Sequence, residues 1–435
     1  MIKKIIGLSL LFLLSIILYS QNNKVDSLIR IAEKEQIDSV KANIFNKISV
    51  FYLNYNIIEA IDYAEKSKKI CDRINYTRGI GESSLNLGKC YERNGEYAKA
   101  KKMFNNSMDI FEILKDTFKI AESQNHTGII FEIKGNYNEA FKNYTSALKK
   151  MEQIQNQKGI ASCKNSIGII KLITGDTKDA LKYFNNNLSI LKEVQANDEI
   201  ALTYNNIGMT YENIKNTQNN SYYYDSALFY YNNSNKIFKE SGNLYGIGLS
   251  YLNIANVYYK LENFDDATIY YDKCIDVSEK TGNRITKAKA ILGLATVNRK
   301  IRKYDLSLEF YNKSKLLSEE INDSLLLKDV YYNLALLFEE LNDNENAYFN
   351  YKKFNSMTDS LFDINSQKEL QQQIEQFDSE IREQEINNLQ QINEIQNIKI
   401  NNQQYILISI IAGTLIIIIL FILLIRRNSR KKKKN

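Results

Sequence analysis

Side chains able to do chemistry are few in this 435-residue chain, and they are badly placed for it. There is one histidine, His126, so any Ser-His-Asp or Cys-His arrangement would have to use it, and a zinc site of two imidazoles cannot be built. The four cysteines, Cys71, Cys90, Cys163 and Cys274, lie in separate stretches without C-x-x-C spacing. A Cys71–Cys90 bridge is one reading in an oxidising compartment, and small buried packing residues are the other. Adjacent carboxylates such as Asp265–Asp266 and Glu339–Glu340 stand beside turns, where solvated helix ends explain them better than an acid/base pair. The glycines occur singly, so there is no loop to cradle phosphate. No catalytic, metal or cofactor residue can be nominated, and a non-enzymatic protein is expected.

What recurs instead is a pair of small residues. One series reads Gly88, Gly128, Gly168, Gly208, Ala255, Ala295 and Ala335. A second reads Ala60, Ala100, Ala140, Ala180, Ala227, Ala267, Ser307 and Ala347. Both step by 40, apart from one step of 47 at the same place, and two markers sharing a period and an insertion define a repeat. Apolar residues fall at helical spacing on either side of turns such as Asn94-Gly95-Glu96 and Gly135-Asn136. Each unit is therefore a helix, a tight turn and an antiparallel helix. The small positions are expected where two helix backbones cross, and overpacking there costs about 1–3 kcal/mol.

The residues Asn86-Leu87-Gly88, Tyr91, Gly95, Tyr97, Ala100, Phe104 and Ser107 resemble the tetratricopeptide (TPR) pattern, as do Asn253-Ile254-Ala255, Tyr258, Phe264, Ala267, Tyr271 and Cys274. The resemblance spans roughly Ser39 to Phe354 in eight units and implies an all-α superhelical solenoid of about eight helix pairs. The period is longer than the common 34, and proline, which often closes a unit, is absent; Gly-Asn and Asn-Asp breaks stand in its place. In the family, the first helix of each unit lines the groove, through the residue before the core apolar position. Here that row reads Asn86, His126, Ser166, Asn206, Asn253, Gly293 and Asn333. An amide both donates and accepts, which suits a protein or peptide segment, so Asn86, His126, Asn206, Asn253 and Asn333 are the candidate partner-binding residues. The same asparagines could instead bond to neighbouring helices in a chain rich in Asn.

The two ends read differently from the body. Residues 1–20, with Lys3 and Lys4 ahead of a short apolar run, read as a secretory signal, and 21–38 as a lead-in helix to an array over 39–358. A run of tyrosines, Tyr222 to Tyr224, follows the seven-residue insertion; an aromatic contact loop or simply the start of a second helix would account for it. Residues 359–404 form a polar stalk in which Leu370, Ile374, Phe377 and Ile381 carry a short coiled-coil seam, so a parallel homodimer is expected there, the alternative being a single helix lying against the last repeat. Residues 405–425 carry no charge and are long enough for one membrane span. Seven cations follow in 426–435, which places that tail in the cytoplasm and the repeats in the periplasm of a bacterial inner membrane. Removing those seven and the two signal lysines from 57 leaves 48 basic against 51 acidic residues, so the formal +6 reports topology and not a nucleic-acid partner. The layout is similar to bacterial TPR-containing membrane sensors, but ten tail residues hold no kinase or DNA-reading helix. A binding scaffold, or a signalling component that relays to a separate cytoplasmic partner, is expected.

Overall fold

A computed structural model describes residues 25–214, 220–361 and 364–432. The expected signal peptide, the start of the lead-in segment, most of the insertion and the last three tail residues lie outside the described residues. The chain divides into two compact units, Met1–Ser366 and Gln367–Asn435. Among the described residues the structure is all helical.

In the first unit, α1 (25–34) leads into eight antiparallel helix pairs. They are α2 (Asp38–Tyr52) with α3 (Ile57–Arg73), α4 (Thr77–Asn94) with α5 (Tyr97–Ile113), α6 (Thr117–Ile133) with α7 (Tyr137–Gln153), and α8 (Gln157–Ile173) with α9 (Thr177–Glu193). There follow α10 (Asn197–Asn213) with α11 (Asn220–Ser241), α12 (Leu244–Lys260) with α13 (Phe264–Thr281), α14 (Arg284–Lys300) with α15 (Tyr304–Glu320), and α16 (Ser324–Glu340) with α17 (Asn344–Leu361). The longer α11 absorbs the insertion: Tyr222, Tyr223 and Tyr224 open its first turns, Tyr222 exposed and Tyr224 packed on the core below Tyr231.

Without proline, the chain stops its helices by a two-residue device. The residue after the helix takes a left-handed conformation, and the next caps the following helix. Gly135, Gly175 and Gly282 adopt φ of 75°, 90° and 71°, while Lys115, Gln155 and Glu262 are forced there at 55°, 53° and 59°. The following Asn or Asp accepts an amide of the next helix: Asn136 from Glu139, Asn156 from Gly159, Asn263 from Asp266. This is the Gly-Asn and Asn-Asp punctuation that the sequence carries in place of proline.

The reason for small residues differs from the expected one. No backbone fills the space over the glycines; an aromatic ring from the second helix does. A Cβ on Gly88 would stand 2.4 Å from the Phe104 ring, on Gly128 2.5 Å from Tyr144, on Gly168 2.6 Å from Phe184 and on Gly208 2.7 Å from Tyr231. Each ring sits four residues past the marker alanine and is fully buried. The cysteines are all free and buried, so the Cys71–Cys90 bridge does not form. Cys90 lies 3.7 Å from the Ser49 hydroxyl, and Cys274 donates to the Gly248 carbonyl at 3.3 Å as a small core residue.

The second unit is the body of one helix, α18 (Ile364–Lys432), unbroken through the expected stalk and span. Its apolar stretch reaches a mean hydropathy of 3.2 and is long enough to cross a membrane. Ile386, Leu389, Ile392, Ile395 and Ile398 step by three, so they wind around the helix, and each is at least half exposed.

Candidate functional site

The first helices of the pairs line a cavity of about 760 Å³ inside the first unit. Its walls come from two parts of the chain. The C-terminal ends of α4 and α6 supply Glu92, Arg93, Ile129, Glu132 and Ile133; α12, α14 and α16 supply Asn256, Tyr259, Lys289, Thr296, Asp329 and Asn333. Relative to the small residue of each repeat, the wall is built from positions two before (Gly293, Asn333), one after (Ile129, Asn256, Thr296) and four after (Glu92, Glu132, Tyr259). Those offsets lie on one face of a helix.

The row read from the sequence falls partly on this wall. Asn333 lines it and donates its amide to the Asp329 carbonyl at 2.8 Å, while Gly293 contributes backbone. Asn86 instead donates to Asn46 Oδ1 of the preceding pair at 3.3 Å. His126 stacks on Phe104 at 5.2 Å between ring centres, and its Nδ1 lies 2.8 Å from Glu92 Oε2. His126 thereby holds a wall residue from behind. Asn206 and Asn253 are half-buried on the same register and are not among the wall residues. The glutamates four residues past the glycines were missed; continuing the row by two steps of three residues along the same face would have reached them.

Electrostatically the wall is mixed and leans acidic. Glu92, Glu132, Asp323 and Asp329 face Arg93 and Lys289. Burial, reinforced by the charge of Glu92, pushes the Glu132 carboxyl up to about 7, against the Tyr144 hydroxyl that donates to it and the nearby Lys289. Asp329 is also pushed up, by burial first and by Asp323, with Lys328 and Lys289 opposing. Arg93 is already engaged, donating to the Leu53 carbonyl at 2.7 Å and to Asn54 Oδ1 at 2.6 Å. Apart from Asn256, Thr296, Asn333 and the Gly293 backbone, the rest of the wall is aliphatic and aromatic, as in ligand pockets of ~300–1,000 Å³.

Comparison with known proteins agrees with this architecture. Family models described as tetratricopeptide repeat match residues 79–153 and 246–314, and again 328–359. No curated protein matches the sequence. Among solved structures, a Rap protein complexed with Competence and Sporulation Factor is similar at TM-score 0.55 and 16% identity, over 79% of this chain and 98% of that one. NprR in complex with its cognate peptide NprX is similar at TM-score 0.53 and 18% identity, over 81% and 97%. The Rap conjugation gene regulator of plasmid pLS20 in complex with the Phr* peptide is similar at 0.53 and 15%, over 79% and 98%. The chain carries tetratricopeptide repeats.

Proposed function

We propose that this chain is a non-enzymatic binding module that takes a short peptide segment of a partner into the cavity of its repeats. The observation that carries the reading is the cavity itself: apolar walls, with carboxylates in excess of cations and Arg93 already engaged. Such a wall suits an extended segment with apolar side chains and one Lys or Arg. Of the expected row, Asn333, which lines the cavity, is the residue proposed to meet the partner's backbone. The solved complexes of similar fold, NprR with its cognate peptide NprX and the pLS20 Rap regulator with the Phr* peptide, support the same use.

The body is held at a membrane by residues 405–425, with the repeats in the periplasm and the cationic tail inside, and a second copy pairs along the stalk over 359–404. A second reading has one observation in its favour. Because α18 runs without a break from Ile364 to Lys432, it could carry a change in the array to a separate cytoplasmic partner.

The test is peptide selection. Full-length protein in nanodiscs, offered a random-sequence peptide library, should enrich peptides with a basic residue. Thr296→Trp, which fills the cavity, should abolish the enrichment. No enrichment over empty nanodiscs would remove the proposal.

A further inference from the structure

One side of the cavity is bounded where the array meets itself. The edge of the first two helix pairs touches the edge of the sixth and seventh, about 150 to 230 residues away along the chain. Arg93 is the centre of that seam. Its guanidinium is held by the Leu53 carbonyl and Asn54 Oδ1 and lies 4.2 Å over the ring of Tyr245. The amide of Tyr245 donates to the Asn54 carbonyl at 3.2 Å. Two glycines let the edges close: a Cβ on Gly282 would stand 2.8 Å from Ile57, and one on Gly95 2.8 Å from Ile321.

These contacts differ in kind from those between successive pairs. Neighbouring pairs share continuous rows of buried side chains, whereas the seam is a cation over a ring, one backbone hydrogen bond, a few methyl contacts and Ile285 packed against the Leu85, Tyr97 and Phe104 cluster. It is the weakest boundary around the cavity, and it separates the wall that carries Glu132 from the wall that carries Lys289. We propose that the seam is the door of the cavity, latched by Arg93 on Tyr245. It opens to admit a peptide, and a peptide touching both walls holds it shut. The second half of this statement rests on the cavity being the peptide site; the opening itself does not.

The structure supplies two reporters that need no ligand. Tyr245 is the second residue of α12, where the helix offers its amide no acceptor, so its exchange with solvent follows the Asn54 contact directly. The next amide, Gly246, is held at 3.0 Å by Asn243 of its own cap and serves as control. For access, Ile129→Cys places a thiol on the wall. The native cysteines stay silent, because burial pushes Cys90 up to about 11 and Cys163 and Cys274 to about 12, and raises Cys71 as well.

In the full chain held in detergent, N-ethylmaleimide should label Cys at 129 quickly and a long polyethylene-glycol maleimide slowly. Arg93→Ala or Tyr245→Leu should raise the rate of the bulky reagent, and exchange at the residue 245 amide, by about fivefold, the size of a lost cation–π contact. Tyr245→Phe keeps the ring and should behave as wild type. If Arg93→Ala does not fold, Tyr245→Leu carries the comparison. Equal rates in wild type and both latch variants would overturn the door, as would equal rates for the two reagents in wild type. If the latch variants respond but the peptide library gives no enrichment, the seam stands and the peptide reading falls.

Discussion

The hydroxyl of Tyr144 donates to Glu132 Oε2 at 2.6 Å, reaching across the space that Gly128 leaves open. The same reach recurs at Gly208, where Tyr231 donates to Glu212 at 2.7 Å. Where the marker is Ala255 or Ala295, the hydroxyl meets a residue one turn earlier. Tyr271 then donates to Asn256 at 2.7 Å and Tyr311 to Thr296 at 3.3 Å. The last repeat, open on one side, departs from this, with Tyr351 on Glu339 at 3.3 Å.

Glu132 should make the protein less stable as pH rises. Its carboxyl is pushed up to about 7, so the folded state holds a proton that the unfolded chain releases near its ordinary value of 4.5. Its contribution is favourable at low pH and declines between those two values. Glu132→Gln removes the slope, and should raise stability at pH 8 by on the order of 2 kcal/mol while changing little below pH 4. Urea titrations at the two pH values read this; a variant that is less stable at pH 8 would contradict it.

Glu122 should show the opposite sign. Burial would raise its carboxyl, but Lys89 and Lys119 outweigh that and hold it down at about 2; Lys119 Nζ is 2.9 Å away and Lys89 closer. The stability it lends is full above 4.5 and is lost as pH falls toward 2. Glu122→Gln should cost about 2–3 kcal/mol at neutral pH, because two lysines lose their partner. Near pH 2 the cost should vanish, and a cost that persists there would show that packing and not charge is at stake.

Substituting alanine at two glycines should separate ring contact from helix propensity. In Gly128→Ala the new methyl meets the Tyr144 ring at 2.5 Å, and a loss of about 1–3 kcal/mol is expected. In Gly248→Ala the nearest atom, on Val277, is at an ordinary 3.5 Å. That change should stabilise by about 0.4–1 kcal/mol through the unfolded chain. Thermal melts of the pair decide the matter, since equal shifts in one direction would leave no role for the ring.

The repeat was legible because its markers answer to local geometry. Gly88, Ala100 and their counterparts obey contacts made within one helix pair, and the pairing of Gln155 with Asn156 or Gly175 with Asp176 is made by adjacent residues. The cavity was not legible in the same way. Glu132 and Lys289 become neighbours only when the array closes on itself, and no spacing within a repeat encodes that closure. The asparagine row shows the boundary between the two cases. Its period is local and was read, but whether a member faces the cavity, as Asn333 does, or a neighbouring helix, as Asn86 does, depends on where its repeat lies along the turn of the superhelix.

The end of α18 offers the sharpest test of the membrane reading. Ile411 and Ile418 are exposed by 51% and 54%, so neither supports a protein core. On a helix in water, replacing them by aspartate would be tolerated or welcome. In a bilayer each aspartate near the middle of a span is unfavourable by about 3 kcal/mol, and two are enough to prevent insertion. Ile411→Asp with Ile418→Asp should therefore move the protein from the membrane to the soluble fraction, while far-ultraviolet circular dichroism of the repeats stays unchanged. In spheroplasts of the parent protein, added protease should remove the array and spare the cationic tail. A double variant that still sediments with membranes after a carbonate wash would mean that something other than residues 405–425 holds the chain there.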